Sequence, residues 1–113
     1  MLLKSKEEFA EVKDRAGIDS TPAKKIALCP FDKELMEYCQ KAEVVYAVKA
    51  ASITEAVYAN HFGAAFIVVS KERAKEIQEV AENYLFDAKI LVPIRFEWEI
   101  ERFARLGIDG VIL

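Results

Sequence analysis

The sequence predicts an α/β protein made of consecutive βα units with a five-stranded, all-parallel sheet. Three observations carry that expectation. Five short apolar runs rich in Val and Ile recur at Ile26–Cys29, Val44–Val48, Ala65–Val69, Ile90–Pro93 and Gly110–Leu113. They are continuous rather than alternating, which is how strands covered on both faces read. The segments between them repeat apolar residues at helical spacing. Finally, 113 residues with 53% hydrophobic and 31% charged side chains are enough for one core and one domain spanning 1–113.

The elements follow in order. Ser5 and Glu8 have the spacing of a capping box, Phe9 and Val12 share a helical face, and Gly17 is a stop, so a leading helix is expected over 5–17. Residues 19–25 are polar and form a loop. From 26 to 113 the chain reads as a (βα)4β unit. Its first helix starts at Asp32 and buries Leu35, Met36 and Cys39. The second starts at Ser52 with Glu55 three residues on, carries Ala56, Val57, Ala59 and Phe62, and stops at Gly63. The third follows Ser70, with Ile77, Val80, Ala81, Tyr84 and Leu85 on one face and Lys75, Glu76, Glu79 and Glu82 on the other. The fourth buries Ile100, Phe103, Ala104 and Leu106 before Gly107. Gly63 and Gly107 stand where a helix end favours a left-handed residue.

Two architectures answer to this rhythm. One is half of a TIM-type barrel, the other a compact flavodoxin-like doubly wound sheet, and periodicity leaves both open. A half-barrel exposes sheet edges, so a homodimer or larger homo-oligomer is expected. The alternative is that the segment holding Leu2, Leu3, Phe9 and Val12 covers the open side.

Several classes are excluded at this level. Nineteen acidic against sixteen basic residues give a net charge of −3, which is no footprint for nucleic acid. The longest nearly uncharged stretch, Ala50–Val69, contains Glu55 and several polar residues, so no membrane partner is expected. The N-terminus lacks the pattern of a signal peptide, and Cys29 and Cys39 have neither metal nor redox spacing; a cytoplasmic protein with two buried thiols is expected. No glycine-rich phosphate loop or nucleotide fingerprint occurs, so no cofactor is expected. His61 stands alone and reads as a solvent-edge residue. The acids Glu97, Glu99 and Glu101 read as a solvated helix face.

Three stretches carry a resemblance. Ser52-Ile53-Thr54-Glu55-Ala56, leading to Gly63-Ala64-Ala65-Phe66-Ile67-Val68, resembles the F-S-x-x-Q-A…A-G-A-x-Y-V-S segment of transaldolases. Ile77 through Leu91 is similar to that family's I-x-x-I-x-x-x-Y-G-F-x-T-x-I-L. Leu106-Gly107-Ile108-Asp109-Gly110 resembles its A-G-A-D before the next strand. The resemblance covers residues 24–113, the later half of the family's barrel. It implies a cofactor-free class I aldolase scaffold in which a strand lysine forms a Schiff base with a keto-sugar phosphate. Leu28 takes the Schiff-base position, and Lys24 lies at the wrong end of its strand. Val48 takes the place of the family's Thr, and Val68 that of its phosphate-binding Ser. Its phosphate Arg is matched by Arg73, with Ser70 nearby.

Four residues emerge as candidates for a site. Lys49 ends an apolar strand on the side where α/β sheets hold ligands. There it is either a Schiff-base amine or a strand-end lysine, solvated or paired with an acid such as Asp32. Ser70 and Arg73 follow the third strand and are placed to bind phosphate or carboxylate; Ser70 is alternatively a plain helix cap. Arg95 follows the fourth strand, and Phe96 and Trp98 beside it read as pocket, interface or core residues. The first functional expectation is therefore a non-catalytic, self-associating transaldolase-like module that binds a small phosphorylated or carboxylate ligand through Lys49, Ser70, Arg73 and Arg95. The second is a class I aldolase or lyase with Lys49 as its Schiff-base residue. A phosphorelay receiver is excluded, because Pro30-Phe31-Asp32 and Val68-Val69-Ser70 lack the carboxylates its metal needs.

Overall fold

Every pairing between neighbouring strands is parallel, and the pairing order follows the chain with a single exception. The computed structural model describes residues 1–113. It contains β1 (Leu2–Lys4), a 3-10 turn (Lys6–Glu8), β2 (Phe9–Glu11), α1 (Arg15–Asp19), β3 (Ile26–Cys29) and α2 (Lys33–Lys41). There follow β4 (Tyr46–Lys49), α3 (Ile53–His61), β5 (Phe66–Val68), α4 (Ala74–Asn83), β6 (Lys89–Pro93), α5 (Glu99–Arg105) and β7 (Gly110–Ile112). The sheet order is β1-β7-β6-β5-β4-β3-β2. No helix is long and apolar enough to cross a membrane.

The strand order never reverses between β2 and β7, so there is no switch point of the doubly wound kind. One face of the sheet (Cys29, Val48, Ile67, Ile90, Val92 and Val111 among others) packs with buried residues of the helices. The opposite face carries Phe9, Leu28, Ala47, Val68, Leu91 and Ile112, and only strand residues meet there. A sheet with helices on one side only hides its other face by curling on itself. The architecture is a half-barrel, and the flavodoxin-like alternative is set aside.

Two expectations are corrected. The sheet has seven strands rather than five, and residues 5–17 are not a helix. Ser5 and Glu8 do form the capping box, but it closes only one 3-10 turn. On either side of that turn the chain is extended. Leu2–Lys4 pairs with β7, and Phe9–Glu11 pairs with β3. The backbone groups on the two outer edges of the predicted sheet need partners, and a helix over 5–17 would have supplied none. The first helix is the short α1, capped by Asp14.

β1 and β2 thus lie on opposite edges of one sheet while being joined by four residues. Laid flat, the outermost of seven strands would be about 29 Å apart. The chain from Lys4 to Phe9 reaches about 18 Å at most, so the sheet must curl. Its closure is visible inside: the Phe9 ring meets Phe66 of β5 edge-on at 6.3 Å, and the Lys4 ammonium sits 5.3 Å from the centre of the same ring.

The repeating unit has a common ending. After α2, α3, α4 and α5, the N–H of Val44, Ala64, Phe86 and Ile108 donates to the carbonyl of Cys39, Ala59, Ala81 and Phe103. The residue before each donor is left-handed: Gly63 at φ 81° and Gly107 at φ 73°, as expected, but also Glu43 at φ 56° and Leu85 at φ 52°. Leu85 is 85% exposed, so no packing offsets its backbone strain. Leu85→Gly is expected to raise the free energy of unfolding by about 1 kcal/mol in urea titrations.

Gly110 is needed for a different reason. A Cβ there would stand 2.7 Å from both Leu2 Cβ and Leu91 Cδ2, and 2.8 Å from the Leu2 carbonyl oxygen. Part of that crowding is backbone, which no rotamer change relieves. Gly110→Ala is expected to cost about 2–3 kcal/mol by overpacking. Hydrogen exchange should show the Leu2 and Leu113 amides losing protection before those of the central strands.

Candidate functional site

Parallel pairing brings the ends of β2 to β7 to one lip. Alternation along each strand then decides which side chains face inward. Ala47 packs in the strand-only interior, so Lys49, two residues on, emerges on the same face at the lip. Phe9 and Glu11 are related in the same way on β2. The Lys49 ammonium pairs with the Glu11 carboxylate across the end of β3, both side chains remaining more than half exposed. Asp32, the partner anticipated for Lys49, caps α2 instead by accepting from the Leu35 N–H at 3.1 Å.

Below this ion pair lies a pocket of about 420 Å³ lined by Lys6, Phe9, Glu11, Leu28, Lys49, Val68, Pro93 and Ile112. Each strand from β2 to β7 contributes to it. A wider depression of about 600 Å³ shares Lys49, Val68 and Pro93 and extends outward to Ser70, Glu72 and Arg73. The structure therefore brings three of the four expected residues, Lys49, Ser70 and Arg73, to one depression. Arg95 lines neither hollow.

The electrostatics of this rim differ from those of a ready anion site. The Arg73 guanidinium is paired with Glu76 at 2.6 Å, and Glu72 stands in the same wall. Ser70 is not the helix cap either. α4 begins later, at Ala74, after a turn in which the Arg73 N–H donates to the Ser70 carbonyl at 3.2 Å, and no side chain caps it. Lys6 is the one lysine of the pocket that makes no ion pair.

Sequence reasoning missed Lys6 and Glu11 by reading them as helical, and it misread Glu99. Glu99 is not on a solvated face: it is 4% exposed. Its carboxylate accepts from the Lys71 ammonium and from the Phe96 and Arg95 backbone N–H groups at 3.0 and 2.9 Å. The usable signal was its position early in a helix, three and four residues after those amides, the geometry by which a capping glutamate reaches back. This clip fixes the loop after β6 to the loop after β5. The loop displays Phe96 and Trp98, 52% and 71% exposed, their rings nearly parallel at 6.0 Å. They are neither core residues nor part of the pocket lining.

The remaining chemistry-bearing groups stand apart. Cys29 and Cys39 are free and buried. The neighbouring Cys39 thiol, together with burial, pushes the Cys29 thiol up, so it is held protonated. His61 is exposed and lies edge-on to Phe62 at 5.2 Å. No three His, Cys, Asp or Glu side chains converge closely enough to share a metal ion.

The Lys71 ammonium, followed by the Phe96 and Arg95 amides, holds the Glu99 carboxyl down to about 2, against an ordinary value of 4.5. A carboxyl whose pKa is lower folded than unfolded adds stability above the unfolded value and loses it as pH falls through the folded one. Urea midpoints should therefore drop between pH 4.5 and 2, and Glu99→Gln should flatten the profile in that window.

Compared with models of known protein families and with curated proteins, the chain matches none.

Proposed function

We propose that this chain is a small-molecule-binding domain whose site is the pocket at the mouth of the half-barrel. One observation carries the reading: all six strands from β2 to β7 place a residue on the same pocket, at the ends where parallel α/β sheets hold their ligands. An apolar floor of Phe9, Leu28, Val68 and Ile112 lies under a rim of Lys6, Glu11 and Lys49. That pattern supports a ligand with an apolar part and an anionic group.

The half-barrel scaffold is in keeping with the transaldolase resemblance, as a unit that retains the framework and has lost the nucleophile. The aldolase alternative draws support from Lys49, whose position borders both hollows. Against it, the Lys49 side chain is 54% exposed and bound to Glu11, whereas Schiff-base lysines are activated by removal from water. Open sheet edges favour self-association, and the outer strands β1 and β2 each pair on one side only, with Leu2 and Leu3 of β1 exposed. The exposed Val57, Tyr84 and Leu85 of the helical layer offer a second surface that supports it.

Two measurements test this. Titration with small carboxylates and phosphates should move the amide resonances of Lys6, Glu11, Lys49 and Val68 and leave those of the helical layer in place. Treatment with fructose 6-phosphate and borohydride should leave the protein mass unchanged. A reduced adduct that disappears in Lys49→Ala would replace the binding reading with the enzymatic one.

A further inference from the structure

We infer that the mouth pocket takes a small monocarboxylate with an apolar body, an aliphatic or aryl acid, rather than a sugar phosphate. The inference rests on the binding reading above and adds the class of ligand. It follows from what the walls offer. Of the eight lining residues, only Lys6, Glu11 and Lys49 carry polar side chains, and all three stand at the rim. Glu11 and Lys49 already engage each other. Below them the surface is Phe9, Leu28, Val68, Pro93 and Ile112.

A sugar phosphate brings several hydroxyl groups into any pocket that encloses it. Each buried hydroxyl left without a partner costs about 1–3 kcal/mol, and this floor has no hydrogen-bonding side chain to give. An alkyl or aryl body meets the same floor without penalty. The charge points the same way. Two lysines against one glutamate leave a single uncompensated positive charge, suited to a monoanion rather than a phosphate dianion. Lys6 is the ammonium without an ion pair, so it is free to take the carboxylate.

The depth is limited too. Phe66 lies two residues further into the barrel than Val68 on β5, and its edge-on contact with Phe9 closes the interior below the pocket. A chain entering from the lip stops there, so short and medium acids are accommodated and long ones are not.

The test is a series of straight-chain carboxylates from butanoate to dodecanoate, with fructose 6-phosphate and 1-hexanol for comparison, followed by calorimetry and amide shifts on the intact chain. Affinity should rise about fourfold for each methylene added from butanoate to hexanoate, then fall once the chain outruns the pocket in the longer acids. Lys6→Gln, an exposed substitution, should weaken hexanoate several-fold and leave 1-hexanol unchanged. If fructose 6-phosphate moves the Lys6, Glu11, Lys49 and Val68 amides and binds more tightly than every carboxylate, the ligand class is wrong and the binding site stands. A flat chain-length profile with the same amides moving likewise overturns the ligand class and keeps the site. No movement of these amides with any compound overturns the site itself.

Discussion

A tether of four residues between two strands on opposite edges is the constraint on which the rest of the structure depends. Lys4 and Phe9 are held too close for the sheet between them to lie flat. The sheet bends until its edges approach, and one face becomes an interior. Phe9, Leu28, Ala47, Val68, Leu91 and Ile112 then cover one another without any helix over them. Glu11 of β2 and Lys49 of β4 meet across the intervening strand for the same reason. Without that tether the same residues would line an exposed apolar sheet of the kind that promotes aggregation.

The parts of the fold legible in the sequence are those where local pattern and tertiary environment agree. Ala27–Cys29 and Ile90–Val92 are buried between helices and interior, and a continuous apolar run is what such a strand requires. Asp32 and Ser52 cap helices because the adjacent amides need acceptors wherever the helix sits. The leading segment is misread because two rules compete there. Ser5 and Glu8 cap a turn in either conformation, and Phe9 with Val12 fits helical spacing as well as Phe9 with Glu11 fits alternation. What decides between them is the demand of two distant sheet edges, which no window of sequence contains. Ser70 fails as a cap for a related reason: a turn intervenes before α4, and its extra residues cannot be told from helix by composition.

The candidate site shows the same division. Lys49, Ser70 and Arg73 could be placed together from strand direction alone, since parallel strands share a lip. Their pairing could not. Lys49 is matched by Glu11, Arg73 by Glu76 and Lys71 by Glu99, and two of those three carboxylates come from segments distant in sequence. A rim that reads as cationic when strand ends are tallied is close to neutral once folded. The character of the mouth is then set by its floor, and Lys6 supplies the remaining charge.

The pairing of Leu2 with Gly110 also has a kinetic side. These partners are separated by the whole of β2 to β6, so their contact must wait until all of those strands have been made. Until Gly110–Ile112 emerges, β1 has no neighbour, and each preceding βα unit carries an uncovered inner face. Closing so long a loop is entropically expensive and slows folding in chains dominated by such contacts. A nascent chain therefore carries those faces open while β2 to β6 are being made, an interval in which they are prone to stick to other apolar surfaces.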